Sequence, residues 1–367
     1  MTSTAPVAVT GVGAISRPAI GARELAGAAD LWRAHPAGYE RPLDVAELDN
    51  FSPADFLGRR GWRFLPEATR AALAAAHLAF ADAAAPAPAD GDPDTRPGAT
   101  PGAVPNAAPG AERVPERVGV ALGTNFAVDA VVDRIDRALL DEGIAGISPV
   151  ECPNFSVNVP AGRLGIAHGL RAFNITLVNL LTAGLESVLV GAHAMAADRA
   201  DAVLVGAVEG RPPAGARTVT GSHVDAAGAC LLHLERPEHA ARRGATVHGL
   251  LAGGTRRTVP ADPAAARRVV TAALDALSAP PGRSRLHLTL PATGGEHVAR
   301  AARDWAAGRD AATDVTVSTG APQASATPVL GLAQHLVRGV REPAVVGALG
   351  PRGNLTLLRI DPPRSLA

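Results

Sequence analysis

The chain has 367 residues, enough for one or two domains with a sizeable core. Its 35 basic and 35 acidic residues cancel, which gives no electrostatic case for a nucleic acid or a membrane surface as partner. Hydrophobic residues make up 47% but aromatics only 3%, so the core is expected to be built from Ala, Val and Leu packed closely on sheets.

Val7-Ala8-Val9-Thr10-Gly11 reads as a buried strand ending in a glycine turn. The glycines of Gly11-Val12-Gly13 look like the start of a phosphate-binding loop. The third glycine is missing, and no acid follows about 20 residues on, so a structural turn is the better reading. The N-terminus has neither a basic region nor a long apolar run, which argues against a signal peptide. Residues 66–85 read as an alanine-rich helix started by Pro66. Residues 86–112, with prolines every few positions and no apolar periodicity, read as a flexible insertion. Residues 117–123 are a second buried strand, and 127–142 an amphipathic helix.

The stretch FNITLVNLLTAGLESVLVGAHAM, residues 173–195, has a distinctive layout. An apolar run ends at Val178, a turn of small residues follows, and a helical pattern begins. Chains present a nucleophile in this way, at the tip of a strand-to-helix turn facing a helix N-terminus. The tip here offers Leu181. Strands follow at 202–206 and 229–234. From Thr246 a second half restarts, with strands at 246–250, 285–290 and 314–318, helices at 263–278, 296–307 and 326–338, and a closing strand pair at 343–349 and 354–360. Alternating strands and helices argue for an α/β architecture, and the repeated element order for a weak internal duplication.

Several segments together resemble one family. They are VAVTGVGAIS at the start, ERVGVALGTN at 116–125, the stretch 147–177 from ISPVECPNF to FNITL, GLESVLVGAHAM and its continuation to Gly210, and DAAGACLLHLERPEHAARRGA at 225–245. Each is weak alone; their number and order resemble the β-ketoacyl synthases of the thiolase fold. The resemblance implies two similar βαβαβαββ-type halves, residues 1–236 and 237–367, in an αβαβα layered arrangement. It also implies a cysteine at a helix N-terminus that accepts an acyl group, and two histidines that assist decarboxylation. Matched segment by segment, the cysteine position falls on Leu181, the first histidine on Pro291 and the second on Pro322. The glycine-rich gate loop near the C-terminus becomes Gly350-Pro351-Arg352-Gly353-Asn354. Leucine cannot carry an acyl group, and proline has neither a polar side chain nor an N–H.

The resemblance therefore narrows to chain length factors, degenerate subunits that pair with an active ketosynthase, shape the tunnel for its acyl chain and meet an acyl carrier protein through the complex. Leucine departs from the glutamine usual in that class. Asn125, Phe126 and Ala130 fall in the tunnel-lining region, with Phe126 either a wall residue or an ordinary core aromatic. No cofactor, nucleic acid or membrane partner is expected, and the expected location is the cytoplasm.

Two rival readings stay open. One is a standalone acyltransferase using Cys152; the other is a homodimeric acyl-binding scaffold. Against the first, neither Cys152 nor Cys230 has a histidine paired to it by motif, and both read as small apolar residues. His168, His193 and His223 share no metal-ligand spacing. Asp129 and Asp133 read as solvated helix charges. Arg242 and Arg243 read as a solvated basic cluster.

Overall fold

The structure is a computed structural model and describes residues 5–17, 19–32, 51–85, 114–211, 227–277, 283–309 and 313–363. The proline-rich stretch 86–112 and His223 lie outside the described residues. In chain order the elements are β1 (Val7–Ile15), α1 (Gly21–Gly27), α2 (Pro53–Leu57), α3 (Glu67–Ala84), β2 (Val118–Gly123), α4 (Asp129–Glu142), α5 (Val159–His168), β3 (Asn174–Leu177), α6 (Ala183–Ala196), β4 (Ala202–Glu209) and β5 (Gly228–Glu235). After the short α7 (Pro237–Arg242) come β6 (Gly249–Thr258), α8 (Pro263–Asp275), β7 (Ser284–Leu290), α9 (Glu296–Ala307), β8 (Thr313–Thr319), α10 (Ala326–Val337), β9 (Ala344–Leu349) and β10 (Asn354–Asp361).

The strands form one hydrogen-bonded sheet in the order β3-β2-β4-β5-β1-β6-β10-β9-β7-β8. Its centre is the antiparallel pair β1–β6, with Ala8 opposite Leu250. Outward on one side come β5 and β4, antiparallel, then β2 and β3, parallel. The other side repeats this order with β10 and β9, then β7 and β8. The parallel neighbours are joined through helices, because a parallel connection must cross over the sheet.

Two helices lie at the middle. α6 and α10 pack on each other, and each touches strands of both sides. Leu185, Val188 and Leu189 of α6 meet Val329, Leu330 and Ala333 of α10 in one cluster with Val12, Cys230 and Val346. These helices are apolar on most faces, as a helix buried between two sheet faces must be. On the outer faces, α3 and α5 cover Val120, Leu122, Leu204 and Leu231. α8 and α9 cover Leu286, Leu288 and Leu357. The result is the mixed α/β, layered helix–sheet–helix–sheet–helix architecture that the sequence leads one to expect.

Two boundaries differ from the sequence expectation. β1 does not stop at Gly11 but runs on through Gly13 to Ile15. The glycines are there for α3, not for a turn. A Cβ at Gly11 would lie 2.1 Å from the Ala79 carbonyl oxygen, and one at Gly13 would lie 1.9 Å from that of Ala75. Their missing side chains let the helix backbone lie directly on the strand. Likewise β6 begins at Gly249 rather than Thr246 and runs to Thr258, with Gly253 and Gly254 inside it. A Cβ at Gly254 would come 2.8 Å from Leu189 of α6.

Candidate functional site

The strand-to-helix turn at residues 178–182 forms as an elbow. Leu181 adopts φ 66°, the left-handed region, and is completely buried. For a non-glycine residue that conformation costs on the order of 1 kcal/mol, so the surroundings must enforce it. Several contacts do so. The Ala183 amide donates to the Asn179 carbonyl at 2.9 Å. Glu186, one turn into α6 and only 2% exposed, accepts from Thr182 Oγ1 at 2.9 Å and Asn179 Nδ2 at 2.7 Å. Asn354 Nδ2 donates to Asn179 Oδ1 at 3.3 Å, and a Cβ on Gly350 would lie 2.8 Å from the Leu180 carbonyl oxygen. The loop 350–354 thus lies against the elbow.

A second elbow stands at the head of α10. Ala324 has φ 41° and is fully buried, and Ser325 follows it as the helix N-cap, as Thr182 follows Leu181. The two elbows abut. A Cβ on Gly184 would fall 2.3 Å from the Ser325 carbonyl oxygen, so glycine is required for the helix heads to approach. Leu180 and Ala324 pack with Phe126 in a small cluster of their own.

Glu209, the last residue of β4, fastens this region. It is fully buried and accepts from the amides of Asn125 and Phe126 at 2.8 and 2.9 Å, and from Asn125 Nδ2 at 2.8 Å. On its other side it accepts from Ser325 Oγ at 2.5 Å and from the Ser325 amide at 3.2 Å. Burial raises its pKa, and the hydrogen bonds from Ser325, Asn125 and Phe126 act in the opposite sense. One carboxyl group therefore ties the Phe126 loop to the second elbow.

The sequence-nominated residues separate into groups. Leu181 sits at the first elbow. Pro322, half-buried, stands two residues before Ala324 at the second elbow, and Pro291 is buried immediately after β7. The exits of β7 and β8 are joined by the Gly320 amide donating to the Leu290 carbonyl at 3.1 Å. Phe126 and Ala130 line one cleft of about 530 Å³, walled also by Leu65, Pro66, Val131 and Asn154. Asn125 does not line it; its side chain is spent on Glu209, which makes it a positioning residue for Phe126.

Sequence reading passed over Glu209, Glu186, Asn179 and Ser325. The one available signal was an acid closing a continuous apolar strand, AVLVGAVE, which reads as a strand boundary and not as a buried carboxylate. Arg243 is a correction. The residue is exposed, yet its guanidinium is not a free charge: it binds Glu235, which is 5% exposed, and the Ala83 carbonyl. Asp129 is half-buried, and that burial raises its pKa.

The cysteines offer no second centre among the described residues. Cys152 is exposed and its thiol faces only the Ser148 carbonyl, at 3.9 Å. Cys230 is buried against the Val329 carbonyl at 3.7 Å, and burial pushes its thiol pKa far up. No group of three or more potential metal ligands occurs among the described residues, and no described helix is long and apolar enough to cross a membrane.

No family model matches the chain. Among curated proteins it is similar to 3-oxoacyl-[acyl-carrier-protein] synthase 2 of Vibrio cholerae, 30% identical over 141 residues, which cover 32% of this chain and 34% of that protein. The same enzyme of Vibrio harveyi is 30% identical over 140 residues, with the same coverage. The chain thus spans about a third of the length of the curated relatives it matches. Solved structures match over nearly its whole length. An apo AntDE:AntF assembly, a type II PKS acyl-carrier protein in complex with its ketosynthase bound to the hexaketide, superposes with a TM-score of 0.70 at 17% identity, covering 98% of this chain and 100% of that one. The ishigamide ketosynthase/chain length factor superposes with a TM-score of 0.68 at 20% identity, covering 98% and 99%. The fold of this chain is that of the thiolase-type ketosynthases.

Proposed function

We propose that the chain is a non-catalytic ketosynthase-like subunit, a chain length factor, that pairs with an active ketosynthase and shapes the tunnel for its growing acyl chain. The observation that carries this reading is Leu181. The backbone that would present a nucleophile is built, at a cost in strain, yet its side chain is an apolar group with no access to solvent. Such a turn has no acyl-transfer chemistry of its own. Retaining it makes sense where the surrounding surface still has a role in an assembly.

The outer edge supports a partner. β3 ends the sheet, with β2 as its neighbour, and Ile175 and Val178 on and just after it are exposed. Leu139 and Leu140 of α4, Ile144 just after that helix, and Ile166 of α5 add further exposed apolar surface. An unpaired edge strand flanked by apolar side chains is a surface that needs a cover. In this reading an active ketosynthase provides it, with an acyl carrier protein reached through the complex. Phe126, held by Asn125 and Glu209, then forms part of the tunnel wall, and the cleft beside Ala130 continues it. The division into residues 1–236 and 237–367 belongs to the same reading, as does a cytoplasmic location.

Co-expression with an active ketosynthase, followed by size-exclusion chromatography and mass determination, tests the assembly. A one-to-one complex that takes an acyl label only on the partner supports the reading. A stable homodimer that ignores the partner, or an acyl label on this chain, overturns it. In the reconstituted complex Phe126→Ala is expected to lengthen the products, because each added methylene then gains about 0.8 kcal/mol of burial with no bulk to stop it. An unchanged product distribution removes Phe126 from the wall.

A further inference from the structure

The far end of the β7–β8 pair forms another concave site. These strands are parallel, and their C-terminal ends lead toward Pro291 and Pro322. Their N-terminal ends, at Ser284 and Thr313, line a pocket of about 460 Å³. With 7 residues in each strand, the pocket lies roughly 20 Å from the loops at the other end. It is separate from the elbows and from the cleft beside Phe126.

Four arginines line this pocket: Arg283, Arg285, Arg303 and Arg309. Among the described lining residues the acids are Glu342 and Asp314, against these four arginines. The whole chain is neutral, so this is a local concentration and not a consequence of composition. Glu342 is already engaged, 2.5 Å from Arg285 Nε and 3.9 Å from Arg283 Nε. The Arg309 guanidinium lies over the Trp305 ring at 4.7 Å, which fixes its plane. Arg303, on the exposed face of α9, has no acidic partner among the described residues. The hydroxyls of Ser284 and Thr313, 3.0 Å apart, bridge the two strand starts on the same wall. The imidazole of His335 is lowered to about 4, first by burial and then by Arg285, with Glu342 acting in the opposite sense.

We propose that this pocket binds a small phosphorylated ligand, a phosphate ester or diphosphate. Guanidinium groups present paired N–H donors that match two phosphate oxygens at once, and hydroxyls add neutral donors. The volume is that of a small-molecule site, and the concave shape suits a compact anion better than a flat protein surface would. The site is independent of the ketosynthase reading, and its test does not use that activity.

Calorimetric titration of the full chain with inorganic pyrophosphate, at low and high salt, is the test. Saturable one-to-one binding is expected, weakening as salt rises. The Arg283→Ala/Arg303→Ala variant should bind about tenfold or more weakly, since each lost charge-assisted contact is a large share of such an affinity. Its thermal unfolding should match the parent, because neither arginine is buried. Arg171→Ala removes an exposed guanidinium paired with Glu116, remote from the pocket, and should leave binding unchanged. Adenosine diphosphate in place of pyrophosphate separates two sources of the same chemistry. Tighter binding assigns a nucleotide-type ligand, and equal binding assigns the diphosphate alone. Absence of saturable binding overturns the proposal. So does a double variant that binds like the parent, or an equal loss in Arg171→Ala.

Discussion

At the head of α6, Leu181 stands at φ 66° with Thr182 behind it; at the head of α10, Ala324 stands at φ 41° with Ser325 behind it. The two turns occupy the same place in the repeated strand order, and each is anchored by a buried glutamate. The anchors differ in reach. Glu186 binds within its own turn, to Thr182 and Asn179, with Arg256 at 3.4 Å as a largely exposed outside partner. Glu209 spans elements, from Ser325 across to Asn125 and Phe126. The difference teaches that one backbone device can be put to two uses. The first elbow encloses an apolar side chain. The second ties the Phe126 loop to the core and so fixes one wall of the cleft.

Substitution of the anchors breaks the comparison most strongly. Glu209→Ala leaves buried donors of Asn125, Phe126 and Ser325 without an acceptor and should cost about 3 kcal/mol. Glu186→Ala should cost less, about 1–2 kcal/mol, because its donors are fewer. Urea unfolding midpoints decide this, and an equal loss in both variants would abolish the distinction. The contact between the elbows comes next. Gly184→Ala drives a methyl group into the Ser325 carbonyl and should cost about 2 kcal/mol. A neutral result by the same measurement would mean that the helix heads can move apart freely.

The pH dependence sharpens the role of Glu209. Its folded pKa is raised above 4.5, so its contribution to stability is fully present below that value and is lost as pH rises through the folded pKa. His335 has the opposite sign. Its folded value of about 4 lies below 6.5, so its contribution is present above pH 6.5 and is lost as pH falls through about 4. Unfolding free energies measured across this range should lose the first slope in Glu209→Gln and the second in His335→Gln. The smallest effect belongs to the second elbow's strain. Ala324→Gly relieves a left-handed alanine and should stabilise by about 0.5 kcal/mol, less than full relief because glycine also frees the unfolded chain. A destabilisation seen in thermal melts would show that the Ala324 methyl matters more to packing than its φ does to strain.

Much of the fold was legible because it is written in local patterns. Glu296–Ala307 forms as a helix over the span its periodicity marks, and the runs at 118–123 and 202–209 are buried strands as their unbroken apolar character requires. The elbow before α6 was legible from the order of strand, small residues and helix. The glycines of β1 misled for one reason. Glycine marks a turn and a close backbone approach alike, and only the position of α3 over Gly11 and Gly13 tells them apart. Asn125 was expected along the tunnel and not as a donor to Glu209, because its acceptor lies 84 residues away.

The sequence by itself determined the alternation of elements, a core of small aliphatic side chains, and a nucleophile-type turn carrying leucine. These follow from residue type and spacing along a few turns or strands. The tertiary structure decided which loops meet. The strand order sets the two central helices head to head, and it brings Glu209 to Ser325 across 116 residues of chain. It also decided that this acid is buried, and that four arginines share one pocket at the far end of the sheet. Burial and electrostatic context are sums over neighbours that are distant in sequence, so no local pattern contains them.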